Sequence, residues 1–299
     1  MASPAFKRAV YIALAAIFLG FHAYHTVVET KPPPESPGLS ENTFRVSDGK
    51  VRSVDEILPE LRDVALVFVG EHHDQASHHW AQLQVVQRLH ESDAKVAVGL
   101  EMIQADHQKA LDQWVRGELS EEEFVPLFER NWSRWDLYAD IFRFGREHGI
   151  PLVGLNVARK ITRKVARDGF ASLSEEQLKE LPPVQCDVDA VYKEFIRRAL
   201  GDRDKAEMTF QNFCEAQLLW DSAMAWHLER FLKENPDHTV VVLAGSAHSW
   251  KRGIPEQIRR RTDLAFRVIL PETERLDRTS ATTEDADYLW LDLPLASSL

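Results

Sequence analysis

The sequence predicts an α/β domain: a mostly parallel sheet with flanking helices and a helical cap. Three observations predict it. Four apolar runs, at 65–69, 96–100, 151–155 and 239–244, do not alternate with polar residues, so each reads as a strand covered on both faces. Helical patterns at 76–90, 139–147 and 212–234 stand between them, and strands alternating with helices imply right-handed crossovers. The stretches 105–147 and 172–234 are too long for simple crossovers and predict the cap.

Taken in order, the chain begins with Lys7 and Arg8 ahead of an apolar run from Ala9 to Phe21. Extended through Val28 it reaches about 20 residues, enough to cross a bilayer, and the leading positive charge places the amino terminus inside. Residues 1–29 therefore read as a membrane anchor or a cleaved signal segment, with the folded part exported. Residues 30–50, with Pro32, Pro33, Pro34 and Pro37, read as an extended linker. Residues 51–299 make one domain, closed by a helix over 255–261 and a further strand at 265–270. No internal repeat is present.

The balance of 36 basic and 47 acidic residues gives a net charge of −11. Nucleic acid and anionic membrane surfaces select positive proteins, so neither is the expected main partner. Cys186 and Cys214 allow at most one disulfide and equally allow two free thiols, and there is no CxxC motif.

Each of the four apolar strands ends in polar residues: Gly70-Glu71-His72-His73-Asp74, then Glu101, then Asn156, then Gly245-Ser246-Ala247-His248. Ligands of parallel sheets bind beyond the carboxyl ends of the strands, where loops converge. Glycines at 70 and 245 are expected to let the backbone turn sharply and approach a ligand. Glu71, His73, Glu101 and His248 thus form the candidate catalytic set, and the same four are the candidate metal ligands. Two histidines with two carboxylates suit either acid–base chemistry or a divalent metal. Gln217 and Asp221, four apart on one helix, are expected to point into this cleft. His78 and His79 follow on the helix leaving the first strand. The aromatic segment 132–138 carries Arg134 and Tyr138.

These residues resemble a known family. The segments Gly70 to Asp74 with His78 and His79, Gly99-Leu100-Glu101-Met102 with Gln108, 132–138, 151–156, 217–225 and 244–249 stand in the order found in ChaN-like haem-binding uptake proteins. The resemblance runs over about residues 51–270, and the wider group takes in the Tiki/TraB proteins and the erythromycin esterases. It implies an EreA/ChaN-like fold and an exported protein of the bacterial cell envelope, with its C-terminal domain in the periplasm. It further implies a homodimer that binds haem noncovalently in iron or haem acquisition. Attachment to the inner or outer membrane would rest on the N-terminal segment, since no lipid-accepting cysteine follows the apolar run. Haem needs an axial ligand and partners for its propionates, for which Tyr138, Tyr192, His78, His79, Arg134 and Lys193 are the candidates, with Asn156, Gln217 and Asp221 lining the cofactor site. The superfamily also implies an alternative: a metal-dependent or Glu/His-dependent hydrolase, protease or esterase, on the same cleft. The absence of a Gly-x-Ser-x-Gly elbow disfavours a serine esterase.

Overall fold

A computed structural model describes residues 42–200 and 209–291. Its strands are β1 (Thr43–Arg45), β2 (Lys50–Arg52), β3 (Leu66–Glu71), β4 (Val96–Gln104), β5 (Leu152–Asn156), β6 (Thr239–Gly245), β7 (Phe266–Pro271) and β8 (Tyr288–Trp290). They form one sheet in the order β2-β1-β8-β7-β3-β6-β4-β5. From β8 to β5 every neighbouring pair is parallel, and only β1 pairs antiparallel, with β2 and β8.

The unbroken apolar runs explain why these strands lie inside. Val67 and Val69 of β3 and Val241 and Leu243 of β6 enter one core; Leu66 and Phe68 with Val240, Val242 and Ala244 enter the other. Because side chains alternate between faces, a strand covered twice has no position where a polar residue is comfortable. The first core is closed by α1 (Val54–Arg62), α2 (Ala76–Glu91), α3 (Gln108–Val115), α4 (Glu121–Asn131) and α5 (Trp135–Glu147). The second is closed by α6 (Arg159–Asp168), α9 (Phe210–Glu234) and α11 (Ile254–Arg261). Ser53 and Ser120 begin α1 and α4 with capping boxes, each exchanging bonds with the glutamate three residues on.

Two expectations are corrected. The linker does not extend through residue 50: Thr43–Arg45 joins the sheet beside β8, and Lys50–Arg52 completes a hairpin at its edge. A three-residue edge strand carries too few residues to show a period, so sequence alone does not reveal it. The cap is smaller than the sequence suggests. Helices α3 to α5 lie on one sheet face and α9 on the other. What sits beyond the end of β6 is α8 (Ala190–Leu200), with α7 (Glu175–Lys179) upstream and α10 (Ser246–Ser249) behind it. The tie of α8 to this place includes the rings of Tyr192 and Phe195 against Trp250, and an ion pair between Arg252 and Asp189.

The cysteines are bridged: Cys186 and Cys214 form a disulfide across a separation of 28 residues, fastening the segment before α8 to α9. Closing a loop of this size restricts the unfolded chain and should contribute about 2–4 kcal/mol. The Cys186→Ser/Cys214→Ser protein should melt earlier by that amount, with the new amide exchange concentrated in residues 184–200. Equal melting temperatures with and without reductant would remove the bridge from the stability of this region.

The N-terminal run at 9–28 lies outside the described residues. Among those described, no helix is long and apolar enough to cross a membrane.

Candidate functional site

The sheet changes its winding direction around β3: the chain goes from β3 to β4 and β5, returns to insert β6 between β3 and β4, and then adds β7 on the other flank of β3. Glu71 is the last residue of β3, Glu101 lies within β4 just past its final pairing with β6 at Leu100, and the turn carrying His248 follows β6. All three are buried, Glu71 and Glu101 each to 1% exposure.

Two carboxylate–imidazole pairs face each other across Glu101. In the first, His73 Nδ1 meets Glu71 Oε1 at 2.5 Å, and Tyr138 donates its hydroxyl to the same oxygen at 2.8 Å. In the second, His248 Nδ1 meets Asp221 Oδ1 at 2.6 Å, and Tyr192 donates its hydroxyl to Asp221 Oδ2, also at 2.6 Å. Each half is therefore tyrosine–carboxylate–histidine, built from different parts of the chain. Glu101 stands between them, its Oε1 3.7 Å from His248 Nε2 and its Oε2 accepting the Gly245 N–H at 2.7 Å.

The glycines are explained by close approach, not by turning: Gly245 has φ −55 and Gly70 is strand. A Cβ at 245 would come within 2.8 Å of His73 Cε1, and one at 70 would come within 2.6 Å of Leu270. Glycine at 245 thus lets the His73 ring approach the end of β6.

The charges follow from this geometry. Burial alone would raise the Glu71 carboxyl. The His79 charge, the hydrogen bond from His73 and the His73 charge override it and hold Glu71 below the usual carboxylate range. His79 Nδ1 lies 2.6 Å from Glu71 Oε2, an ion-pair contact out of line for a hydrogen bond. His73 is raised: burial opposes its charge, but the bond to Glu71 and the charges of Glu71 and Glu101 prevail. His248 is pushed up to about 9, because Glu101 and Asp221 outweigh the burial that disfavours its charge. At neutral pH His248 is an imidazolium, an acid or an electrostatic anchor but not a base. Burial, followed by the neighbouring carboxylates, raises both Tyr138 and Tyr192 well above the ordinary phenol value, so both keep their protons and donate.

The candidates inferred from sequence divide clearly. Glu71, His73, Glu101, His248 and Asp221 come together, as do His79, Tyr138 and Tyr192. The axial role expected of Tyr138 and Tyr192 is corrected. At 0% and 3% exposure, with their hydroxyls committed to carboxylates, neither offers an oxygen to iron. His78 is buried and its Nδ1 accepts the His72 N–H at 2.9 Å. Asn156 is a backbone device: Nδ2 donates to the Glu101 carbonyl and Oδ1 accepts from Val157, where the β4–β5 register shifts. Arg134 begins α5 in the left-handed region, φ 64, and pairs with exposed Asp136. Lys193 is exposed over the Phe210 ring. Gln217 is buried one turn before Asp221, and its Nε2 has no hydrogen-bond partner among the described residues.

The metal reading is also corrected. Among the described residues no group of three or more His, Cys, Asp or Glu side chains is placed to hold a metal ion. The four residues expected to do so already commit ligand atoms to protein partners: both oxygens of Glu71 face histidines, Glu101 Oε2 takes a backbone N–H, and His248 Nδ1 is held by Asp221.

Two residues that the sequence places only within longer motifs, without a role of their own, belong to the site. Trp132 sets its ring edge-on to His73, with centroids 5.0 Å apart, and donates Nε1–H to the Tyr138 oxygen. His72 is exposed, its ring edge-on to His78. Its place between Glu71 and His73 was the available signal: alternation along the strand end turns the middle residue outward.

Known proteins of similar sequence and fold extend this picture. The plant protein RETICULATA-RELATED 5, chloroplastic, of Arabidopsis thaliana is 23% identical over 230 residues. The match covers 70% of this chain but only 31% of that protein. The solved structure of ChaN of Campylobacter jejuni, described with cofacial haem binding, superposes with a TM-score of 0.66 at 19% identity. That superposition covers 83% of this chain and 94% of ChaN. The type III effector HopBA1 superposes with a TM-score of 0.50 at 13% identity, covering 86% of this chain and 98% of the effector. At these identities the solved structures speak for the fold alone. The family model for haem-binding uptake proteins of the Tiki superfamily, ChaN, matches residues 57–258, well over half of the sequence, and the chain belongs to that family.

Proposed function

We propose that this protein binds haem noncovalently at the carboxyl end of the sheet and serves haem or iron uptake. Membership of the haem-binding uptake family carries the reading. The residues present fit haem at one point that the sequence did not suggest: His72 is an exposed imidazole just past the end of β3, backed by His78. Bound there, haem supplies iron that accepts a nitrogen ligand. His72 would hold the iron, and the Trp132 side of the site would give the macrocycle an aromatic neighbour. Binding between two copies of the chain, as the resemblance implies, would place His72 on the shared face.

A second reading rests on a specific observation, the paired imidazole–carboxylate bonds of 2.5 and 2.6 Å on either side of Glu101. Such pairs orient imidazoles for proton transfer, so a Glu/His-dependent hydrolase is the alternative. One set of variants separates the two. On haem titration the wild type should give a shifted, saturable Soret band that His72→Ala alters, while His73→Ala leaves its affinity within about twofold. The hydrolase reading expects His73→Ala or His248→Ala to abolish turnover of an ester or peptide with haem affinity intact. A wild type without a saturable Soret band sinks the haem reading; unaltered turnover in both variants sinks the hydrolase.

We further propose that the domain is exported into a bacterial envelope and tethered there, on the strength of Lys7 and Arg8 before the apolar run. A reporter active only outside the cytoplasm, fused after Leu299, should work. Activity of a cytoplasm-only reporter at that point would overturn the assignment.

A further inference from the structure

In a chain of net charge −11, α6 is conspicuously basic: Arg159, Lys160, Arg163, Lys164 and Arg167 stand in ten residues with one acid, Asp168. Ile161, Thr162, Val165 and Ala166 are buried, which fixes the opposite face outward. Some of this charge is answered locally. Arg167 pairs with Asp168, and Lys164 donates to the Ser172 carbonyl at 2.6 Å. Among the described residues, Arg159 and Lys160 have no carboxylate partner.

Their position ties them to the site. The helix begins three residues after Asn156, at the carboxyl end of β5. Arg159 donates Nη2–H to the carbonyl of Asn131, the residue before Trp132, whose ring meets His73. The guanidinium is thus fixed at the Trp132 wall, and Lys160 is exposed next to it. Partial burial, and then the Arg163 charge one turn on, pull Arg159 below its ordinary range, so the fold sets like charges together where an anion would relieve them. The i, i+4 spacing of these cations is legible in sequence, but their attachment to the wall is not.

We propose that Arg159 and Lys160 form an anion subsite at the mouth of the Glu/His site, taking a carboxylate or phosphate group of the ligand that enters there. The proposal rests on the ligand-binding reading of the site. A planar guanidinium held by one backbone carbonyl keeps its remaining N–H donors in a fixed fork that matches an oxyanion. For a haem ligand, the group held is a propionate.

The test compares haem with its dimethyl ester, which keeps the macrocycle and iron but loses both charges. Inorganic pyrophosphate serves as a separate probe of thermal melting. Proteins compared are the wild type, Arg159→Gln, Arg159→Lys and Lys160→Gln; the last changes an exposed residue and guards against misfolding. The expected result is haem binding about tenfold or more tighter than the ester, with the difference reduced in both glutamine variants and partly kept in Arg159→Lys. Equal affinity for haem and ester, with no melting shift from pyrophosphate, overturns the subsite while leaving haem binding standing. No haem binding, with a pyrophosphate shift that the variants lose, removes haem and keeps the subsite. Absence of both signals removes both. Capture by phosphatidylglycerol vesicles that the variants lose, without discrimination against the ester, assigns the helix to a lipid surface and also overturns the proposal.

Discussion

Glu71→Gln should cost about 3 kcal/mol at pH 7, the low end of what removing one partner from a buried ion pair costs. The low end applies because the charges left behind are imidazoles. His73 and His79 can shed their protons when the carboxylate is gone, which a lysine or arginine would not do. The loss remains large because Glu71 is contacted by three side chains, His73, His79 and Tyr138. The sign of the pH dependence provides a second check. Glu71 is depressed below its ordinary 4.5, so its contribution is present above that pH and is lost as the pH falls through the folded value. Denaturant unfolding across acid pH should show a steep loss of stability in the wild type and a shallower one in Glu71→Gln. Parallel acid limbs in the two proteins would show that Glu71 does not hold its charge.

His248 should make stability fall on the alkaline side. Its folded value of about 9 lies above the ordinary 6.5, so its contribution is complete below 6.5 and is lost as the pH rises toward 9. The difference corresponds to at most about 3 kcal/mol. His73 and His79 are raised as well and add slope of the same sign. In His248→Gln the slope over this window should drop by up to about 1.4 kcal/mol per pH unit, the share of one proton. The variant should also be weaker throughout, because Asp221 then keeps only Tyr192. Wild-type stability that is flat from pH 6.5 to 9 would contradict a charged His248. The same protonation bears on mechanism: any hydrolysis that needs His248 as a base should rise with pH toward 9, whereas a role as acid or anchor gives the opposite trend.

Among the candidate residues, the sequence determined the strand ends. Runs such as 65–69 and 239–244 are buried on both faces, so their first polar residues fall where pairing with the neighbouring strand stops, which brings Glu71, Glu101 and His248 to one end of the sheet; β4 itself runs on past Glu101 to Gln104, which the sequence did not show. The helices at 76–90 and 212–234 were equally legible, because long amphipathic or buried helices leave a period of 3.6 over many turns. The three-residue strands β1, β2 and β8 left no period, and a disulfide between two cysteines is decided by whether their backbones approach, here with Cα atoms 5.7 Å apart.

The partners were decided by tertiary structure alone. Nothing in the spacing of Tyr138, 67 residues from Glu71, or of Tyr192, 29 from Asp221, says that each phenol donates to a carboxylate instead of facing iron. Asp221 reads from sequence as a polar residue on a helix face, and only the packing of α9 against α10 makes it the partner of His248. Gly245 reads as a turn residue, and its actual role depends on a ring delivered from β3. Hydrogen bonds and close approaches between distant segments depend on sheet order, and the insertion of β6 between β3 and β4 is what brings the two tyrosine–carboxylate–histidine units to face each other across Glu101.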